Sequence, residues 1–348
     1  MHAIAIKTNP HPQMLQHLVK LGFGLEAASI EEVNMALAAG CEPAKIVFDS
    51  PVKTRSEIEC VAMLKGMLVN VNSISELDRF PSESTCTLGI RINPQVHTGA
   101  PEMFDVSRNE SKFGVAISNK QQIIDAALTH PVHALHIHSG SQMKDLDVQR
   151  GALEALKLLA DEINAFKPGK IHTLDIGGGL PSEPLSEASN MAKYGAMVAE
   201  VFNESSYSLV TEFGQWVHAE AGFALTRIEY ILDQSRMFIH LGADFFMRDA
   251  YTKPRPFDLE VWDEEGGRVE GEKSAFDIAG PLCFAGDYLA HGALLPSRSA
   301  EGNWLSINGT GANTYALWSR HCSRTVPKCI AFDGVDITIW SERATINY

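Results

Sequence analysis

A lysine follows the first apolar segment of the chain, where an amine could do covalent chemistry. Residues 3–6 are small or β-branched and predict a buried strand, and Lys7 comes directly after it, before the break at Asn9 and Pro10. Most lysines in such places only extend the ammonium into solvent. The alternative is a functional amine with a lowered pKa, of the kind that forms a Schiff base with a carbonyl compound.

Two glycine turns later in the chain predict a site for a phosphate group. Gly177, Gly178 and Gly179 end one apolar segment, and Gly214 follows another that ends at Glu212. Backbone amides without side chains can approach an anion closely. A tight turn that binds nothing is the other reading of one such cluster. Two of them, in the loops that phosphate sites of parallel barrels favour, make the anion site the stronger prediction.

A histidine between these segments completes a recognisable set of parts. His138 lies at the end of an apolar segment, and Ser139 and Ser141 offer hydroxyls that could cap a phosphate. A lone histidine is more often a structural residue. Together, however, an amine, a phosphate cradle, a flat ring and a carboxylate are what pyridoxal phosphate needs. The carboxylate of Glu212 on the ring nitrogen would keep that nitrogen protonated, so that the ring accepts electrons from a carbanion.

Short apolar segments alternate with helical ones through the first two thirds of the chain. Helices are expected at residues 13–21, 29–39, 55–65, 120–128 and 151–166, with Ser29 as an N-cap. Strands are expected at residues 3–6, 23–26, 46–49, 67–70, 88–93, 134–138, 173–176 and 209–212. Eight alternating units predict an α/β fold, a parallel (β/α)8 TIM barrel over residues 1–222.

Each predicted strand has a polar residue or a glycine at or just past its C-terminal end. Barrel enzymes build their active sites at this face, so we expect these residues to converge. Exposed strand ends are often polar anyway, which accounts for some of the positions but not for a lysine, an arginine, a histidine and a glutamate together. The residues are Lys7, Glu26, Asp49, Asn70, Arg91, His138, Gly177 and Glu212.

The pattern changes near Phe223. Short β-like segments separated by glycine and proline turns predict a C-terminal antiparallel β domain over residues 223–348. Residues 263–268 are charged and glycine-rich, which is typical of a solvated hairpin tip. The expected strands are residues 225–232, 237–241, 274–278, 304–307, 329–332 and 337–340.

Composition excludes several classes of protein. A net charge of −14 with no basic stripe argues against binding of nucleic acid. No apolar run approaches the roughly 18 residues of a membrane span, so no membrane partner is expected. Six cysteines at irregular spacings without a secretory signal favour a reduced, cytoplasmic protein. Thirteen histidines show no zinc-finger or His-Glu-x-x-His spacing, so no metal is expected.

The sequence resembles the fold-type III, or alanine-racemase-like, pyridoxal phosphate enzymes, and within them the ornithine/diaminopimelate/arginine decarboxylases. The segment around Lys7 is similar to the family's cofactor-lysine strand, and further motifs follow in the family's order to near Asp333. They are Arg-Ile-Asn-Pro at residues 91–94, Ser-Lys-Phe-Gly at 111–114, His-Ser-Gly-Ser-Gln at 138–142, Asp-Ile-Gly-Gly-Gly at 175–179, and Gly-Pro-Leu-Cys with a later aspartate at 280–287.

The resemblance implies roles for the cofactor-binding residues. Lys7 would carry pyridoxal phosphate as a Schiff base, His138 would stack on its ring, and Glu212 would pair with the ring nitrogen. Arg91 would support the site. The remaining residues that the resemblance places at the cofactor, mostly around its phosphate, are Ser141, Gly178, Gly179, Gly214, Gln215 and Tyr315.

The resemblance also implies a homodimer with shared active sites. Cys283 would enter the site from the partner subunit and protonate the carbanion left when CO2 departs. A free cysteine is normally a small buried hydrophobe, but its place in the Gly-Pro-Leu-Cys motif reverses that reading. Arg248 would hold a substrate carboxylate, with Tyr251 and Phe284 as further substrate contacts.

Four features depart from the family's pattern. The chain starts almost at the lysine, whereas the family has some tens of residues before it. Gln215 replaces the arginine of Glu-Pro-Gly-Arg, and Asn313 replaces the tyrosine of Gly-Ala-Tyr. Phe284 stands where diaminopimelate decarboxylases have an acidic residue. These changes argue against diaminopimelate as the substrate.

The sequence therefore predicts a cytoplasmic, homodimeric decarboxylase that removes the α-carboxylate of an amino acid or an amino-acid conjugate. Phe284 and the unusual segment at residues 245–251 suggest a citryl-linked amino acid, as in the siderophore-biosynthesis subgroup. Three alternatives remain open: a diaminopimelate decarboxylase of lysine biosynthesis, an amino-acid racemase, and a non-catalytic regulatory homologue.

Overall fold

The computed structural model describes residues 1–97, 105–143, 145–183, 189–246 and 257–344. The chain separates into two compact units, Met1–Val217 and His218–Tyr348. We expected a boundary between residues 222 and 223, a few positions later. Within the described ranges, no helix combines the length and the apolar character needed to cross a bilayer.

The first unit is a barrel of parallel strands, as predicted. The hydrogen-bonded order is β1-β2-β3-β4-β5-β7-β8-β9, and β6 is an extra short strand on β5. The barrel closes where the Ala3 amide donates to the Thr211 carbonyl at 2.8 Å and the Ala5 amide to that of Phe213 at 3.0 Å. The strands are β1 (Ala3–Ala5), β2 (Gly24–Ala27), β3 (Ile46–Phe48), β4 (Leu68–Val71), β5 (Thr87–Asn93), β6 (Val115–Ala116), β7 (Val132–Ile137), β8 (Thr173–Asp175) and β9 (Ser208–Val210).

Helices connect the barrel strands, and local signals set where several of them begin. Ser29 accepts a hydrogen bond from the Glu32 amide at 3.2 Å, which confirms the predicted N-cap. The long helix α6 starts before the expected residue 151, because Asp145 caps it by accepting from two backbone amides. The helices are α1 (Pro12–Lys20), α2 (Ile30–Ala38), α3 (Arg55–Ala62), α4 (Ile74–Leu77), α5 (Lys120–Thr129), α6 (Leu146–Phe166), α7 (Ser189–Val201) and α8 (Gln215–His218).

Strand alternation explains why the polar residues share one end of the barrel. Successive side chains of a strand point to opposite faces, so every second residue faces the interior. A small apolar cluster separate from the main core is made of Ala3, Val47, Leu68, Ala134 and Val210. Two positions after Val47, Leu68, Ala134 and Val210, the chain has Asp49, Asn70, His136 and Glu212. A polar layer therefore follows an apolar one toward the C-terminal ends of the strands.

The second unit is built on a separate sheet with the order β12-β15-β10-β11-β13-β14, plus the hairpin β16-β17. An antiparallel sheet was expected, but β11 pairs with β13 in parallel. The cause is that β12 lies between them in sequence and joins the far edge, so the chain returns in the same direction. The strands are β10 (Phe223–Leu232), β11 (Arg236–Ile239), β12 (Leu259–Trp262), β13 (Lys273–Ala279), β14 (Tyr288–Pro296), β15 (Trp304–Asn308), β16 (Cys329–Phe332) and β17 (Ile337–Ser341).

Candidate active site

Lys7 lies just past β1, at the mouth of the barrel, and its ammonium is bound by a carboxylate. Its Nζ donates to both oxygens of Glu26, at 2.7 Å and 2.6 Å. The Lys7 side chain is 47% exposed, whereas the Glu26 side chain is fully buried. The amine is therefore reachable from the mouth while its partner is fixed in the barrel wall.

The expectation of a lowered pKa for this amine is wrong. Burial disfavours the ammonium, but the charges of Glu26, Asp49 and Glu212 outweigh it and raise the pKa of Lys7 above its usual value. Burial also raises the pKa of Glu26, with support from Asp49 and Glu212 and against the opposing charge of Lys7. Before Lys7 can act as a nucleophile it must lose a proton, and Glu26 lies 2.6 Å away to accept it.

Glu212, just past β9, is a buried carboxylate with unused hydrogen-bonding capacity. Its Oε2 lies 3.5 Å from Nε2 of His136 and 3.4 Å from Nδ1 of His138. Within the described ranges, neither carboxylate oxygen has a hydrogen-bond partner of good geometry. Burial would raise the pKa of Glu212, but the two histidines hold it well below its usual value. Glu212 is therefore an ionised carboxylate that can accept a hydrogen bond from a further donor.

A layer of polar contacts also joins strands that are not adjacent in the barrel sheet. Arg91 lies 3.7 Å from Asp49 and above the ring of Phe113, at 4.4 Å from its centroid. Asn70 donates to Asp175 Oδ2 at 3.1 Å. The first contact joins the end of β3 to β5, and the second joins β4 to β8. The ring contact of Arg91 explains how the Ser-Lys-Phe-Gly motif supports the site through its phenylalanine.

Asp175 connects this layer to the first glycine turn. Its Oδ1 accepts from the Gly177 amide at 3.1 Å. Burial, and then the charge of Glu212, raises the pKa of Asp175 well above its usual value. Asp175 therefore fixes the start of the turn, and its raised pKa makes it easier to protonate than an exposed carboxyl group.

The glycine turns pack too closely for side chains. Gly179 has φ +107°, and a Cβ there would collide with the carbonyl oxygen of Gly140. A Cβ on Gly178 would collide with the carbonyl oxygen of Glu212. A Cβ on Gly214 would collide with the methyl group of Thr8, directly after Lys7. The turns after β7, β8 and β9 and the Lys7 turn are thus packed against each other.

The structure places the other predicted residues as follows. Ser141 is half-buried in the turn after β7, and Gln215 is the half-buried first residue of α8. Arg248 and Tyr251 lie outside the described residues. Cys283, Phe284 and Tyr315 belong to the second unit.

In the second unit, an aspartate organises the turn that carries Cys283. The carboxylate of Asp287 accepts from the Ala243 amide and from the Leu282 amide, both at 2.6 Å. Cys283 is exposed. Phe284 stacks on the ring of His321 with 5.7 Å between centroids. The aspartate of the Gly-Pro-Leu-Cys motif thus holds the backbone beside an accessible thiol.

Sequence reasoning missed His136 as a site residue. It lies on the same face of β7 as His138, two residues earlier, and its imidazole is fully buried. The available signal was this spacing of two, because it directs both rings to the barrel interior.

The residues present fit pyridoxal phosphate. An ionised, unsatisfied Glu212 suits a protonated ring nitrogen, and the glycine turns offer bare amides to a phosphate. His136, His138 and Glu212 bring ligand-type atoms within 4.8 Å of one another, a spacing that a metal ion would also accept. A metal site would leave Lys7 and the glycine turns unexplained, so the cofactor fits better.

Known proteins match this chain over nearly all of its length. The family model described as "Pyridoxal-dependent decarboxylase, pyridoxal binding domain" matches residues 2–226. The diaminopimelate decarboxylase of Pseudomonas aeruginosa is 31% identical in an alignment of 356 positions, which covers 99% of this chain and 84% of the relative. That of Vibrio cholerae is 28% identical, over 95% of this chain and 80% of the relative.

A solved structure shows the same fold. Diaminopimelate decarboxylase from Helicobacter pylori complexed with L-lysine aligns with a TM-score of 0.88 at 24% identity, over 99% of this chain and 88% of that one. The relatives and the family model thus confirm the predicted family, the pyridoxal-dependent decarboxylases. They do not support the narrower expectation of a siderophore-biosynthesis subgroup.

Proposed function

Because this chain belongs to the pyridoxal-dependent decarboxylase family, we propose that it removes one carboxyl group from diaminopimelate, releasing CO2 and lysine. It is a pyridoxal-phosphate-dependent amino-acid decarboxylase. The choice of diaminopimelate is supported by the Pseudomonas aeruginosa relative, which is similar across 99% of this chain. The observation that carries the chemistry is Glu212, a buried carboxylate with two imidazoles within 3.5 Å, which lower its pKa against the effect of burial.

Bound pyridoxal phosphate supplies an electron-accepting ring, which makes loss of CO2 from the α-carbon possible. We assign Lys7 to hold the carbonyl end of the cofactor and Glu212 to hold its ring nitrogen. Of the two histidines beside Glu212, His138 is the one that can lie against the cofactor ring, because 18% of its side chain is exposed. The phosphate is assigned to Ser141, Gly178, Gly179, Gly214 and Gln215.

Glu26 controls the proton on Lys7 in this scheme. The carboxylate binds the ammonium through both of its oxygens, so it fixes the position of Nζ. Its raised pKa makes it a suitable proton acceptor when Lys7 must become neutral. The charge of Asp49, which lies 3.7 Å from Arg91, raises the pKa of both members of this pair.

The second unit contributes residues that we assign by their motif. Cys283, exposed on a turn that Asp287 holds, returns a proton to the α-carbon. Arg248, Tyr251 and Phe284 are assigned to the substrate. Tyr315 is assigned to the cofactor.

We propose that the protein works as a cytoplasmic homodimer with shared active sites. The hairpin β16-β17 is isolated from the other sheets and carries exposed apolar side chains, a feature of surfaces that bind another protein. These are Ile330, Phe332, Val335, Ile337 and Ile339. Light scattering should give a dimer mass, and replacing Phe332 by aspartate should shift it to the monomer; a monomeric wild type contradicts the proposal.

One observation favours a second candidate substrate. Phe284 stacks on His321 where an acidic residue would read a distal amino group. An aromatic surface suits an amino acid whose side chain ends in an uncharged group or a modified amine. This candidate keeps the same cofactor and the same loss of CO2.

The test is a substrate panel. The purified protein with pyridoxal phosphate is given diaminopimelate, lysine, ornithine and arginine, and CO2, amine products and optical rotation are followed together. Diaminopimelate should release CO2 and form lysine in equal amounts, with a Lys7→Ala variant as the inactive control. CO2 from another amino acid only would support the second candidate, and a change in rotation without CO2 would indicate a racemase.

A further inference from the structure

Two histidines face Glu212, but they differ in what else they can reach. His138 has 18% of its side chain exposed at the barrel mouth, whereas His136 has none. Both project from the same face of β7, two residues apart. His136 lies deeper, in register with Arg91 of β5 on one side and Asp175 of β8 on the other. A ligand that enters the mouth can touch His138 while His136 remains behind it.

The burial of His136 asks for an explanation. Within the described part of the chain, neither of its ring nitrogens has a hydrogen-bond partner of good geometry. Burying such a group is unfavourable, and the same strand places a simple alanine, Ala134, two residues earlier. The contact that compensates is with Glu212, whose Oε2 lies 3.5 Å from the Nε2 of His136.

We propose that His136 is a positioning residue: its Nε2 holds Glu212 ionised and turned toward the ring nitrogen of the cofactor, which leaves His138 free to lie against the ring. The inference rests on the cofactor role that we assign to Glu212 and is independent of which amino acid is decarboxylated.

The charges around Glu212 show why one histidine would not suffice. From β8 it faces Asp175, whose pKa its charge raises, and this negative charge also acts on Asp49 past β3 and on Glu26 of β2. Lys7 opposes these negative charges but is bound to Glu26. The pKa of His138 is itself lowered by burial, and Arg91 and Lys7 add to that effect. Without His136, burial and the surrounding carboxylates would favour protonation of Glu212, and a protonated Glu212 could no longer keep the ring nitrogen charged.

Two variants distinguish a positioning role of the His136 imidazole from a packing role. His136→Leu replaces the imidazole by an apolar side chain of similar size that has no hydrogen-bond donor. His136→Gln keeps an amide N–H near the place of Nε2 but removes the imidazole. His133→Gln is the matched control, because His133 lies on the same strand β7 and stacks with His172 away from Glu212. Apo-protein stability is measured by thermal unfolding for every variant.

The readout is binding of pyridoxal phosphate to the apo-protein, without substrate, between pH 6 and pH 8. His136→Leu should bind the cofactor at least about tenfold more weakly, because Glu212 loses the close contact that opposes its protonation, with the loss growing as pH falls. Its absorbance spectrum should shift toward the unprotonated ring. His136→Gln should recover part of the affinity, and His133→Gln should match the wild type.

Wild-type affinity and an unchanged spectrum for His136→Leu across this pH range would overturn the proposal. Equal losses in the leucine and glutamine variants would also overturn it, since they would indicate a packing role only. If the leucine variant does not fold, the glutamine variant decides: it must bind more weakly than the wild type with the same pH trend. Cofactor binding without CO2 release from diaminopimelate would contradict the proposed function and leave this inference standing.

Discussion

Buried carboxylates occur in both units of the molecule, and their partners differ. In the barrel, both oxygens of Glu212 lack hydrogen-bond partners of good geometry within the described residues. In the second unit, each oxygen of Asp287 accepts a backbone amide at 2.6 Å. One oxygen of Asp244 in the same unit is bound by the Arg324 guanidinium at 2.6 Å, and its other oxygen has no hydrogen-bond partner within the described residues. The first carboxylate is charged and unsatisfied, whereas the others serve the backbone and an ion pair.

This difference separates binding from structural roles. Buried polar groups in folded proteins are normally satisfied, so an exception needs a reason. At Asp287 the reason for burial is visible, because the carboxylate holds the Cys283 turn in place. At Glu212 the chain supplies charge balance from two histidines but leaves the hydrogen bonds to a ligand. The four predictions below test this contrast, from the largest expected effect to the smallest.

Lys7→Ala should have the largest effect on activity. The amine that holds the cofactor is removed, so CO2 release should fall by about a thousandfold or more. The matched control is Lys20→Ala, an exposed lysine at the end of α1, which should keep wild-type activity. An alanine variant within tenfold of the wild type would remove Lys7 from the proposed chemistry.

Glu212→Gln should reduce activity by about a hundredfold or more, because a neutral amide cannot stabilise the protonated ring nitrogen. Steady-state CO2 release measures this, and cofactor affinity should fall in parallel. Gln121→Glu, at an exposed position on α5, is the control for a change of one unit in net charge away from the site. Full activity in Glu212→Gln would contradict the assignment of Glu212 to the ring.

Asp287→Asn should act on stability first. One of the two backbone amides loses its acceptor in a buried turn, so the free energy of unfolding should fall by about 1–3 kcal/mol. Asp277→Asn is the control, because Asp277 lies on the neighbouring strand β13, is 39% exposed and accepts from the Gly292 amide. Urea unfolding compares the two. An equally small loss in the free energy of unfolding for both variants would contradict the structural role of Asp287.

The smallest effect concerns the pH dependence of apo-protein stability. The pKa of Glu212 is lowered in the folded protein, so its charge contributes stability above its unfolded pKa, and that stability is lost as pH falls through the folded value. Glu212→Gln should therefore be less stable than the wild type near pH 7 and equal to it under acidic conditions where both fold. Urea unfolding at several pH values measures the gap. A gap that widens as pH falls would have the wrong sign for this account.

Much of the barrel could be predicted from sequence, because strand alternation and short connections are local signals. The eight barrel strands were found where expected, with shifts of one or two residues at most of their ends. Three strands were missed: β6 has only two residues, β12 has only four, and Gly292 and two register shifts interrupt the pattern of β14. The parallel pairing of β11 with β13 depends on the path of the whole chain and has no local signal.

The electrostatics of the site could not be predicted from sequence. Lys7, Glu26 and Glu212 come from three strands, and their mutual effects exist only when the barrel brings them together. Sequence reasoning placed each of them at a strand end and gave a lowered pKa as one of two readings of Lys7, since the number of carboxylates facing it was unknown. His136 was missed for the same reason, because its meaning comes from its distance to Glu212.

Reduction with borohydride, followed by peptide mapping, tests the central claim most directly. The protein is incubated with pyridoxal phosphate, reduced and digested, and the modified lysine is identified by mass spectrometry, with Lys7→Ala alongside. The account predicts one modified site, Lys7, and none in the variant. Modification of another residue such as Lys53, which is buried against Glu76, or no modification at all, would contradict a cofactor site at the barrel mouth.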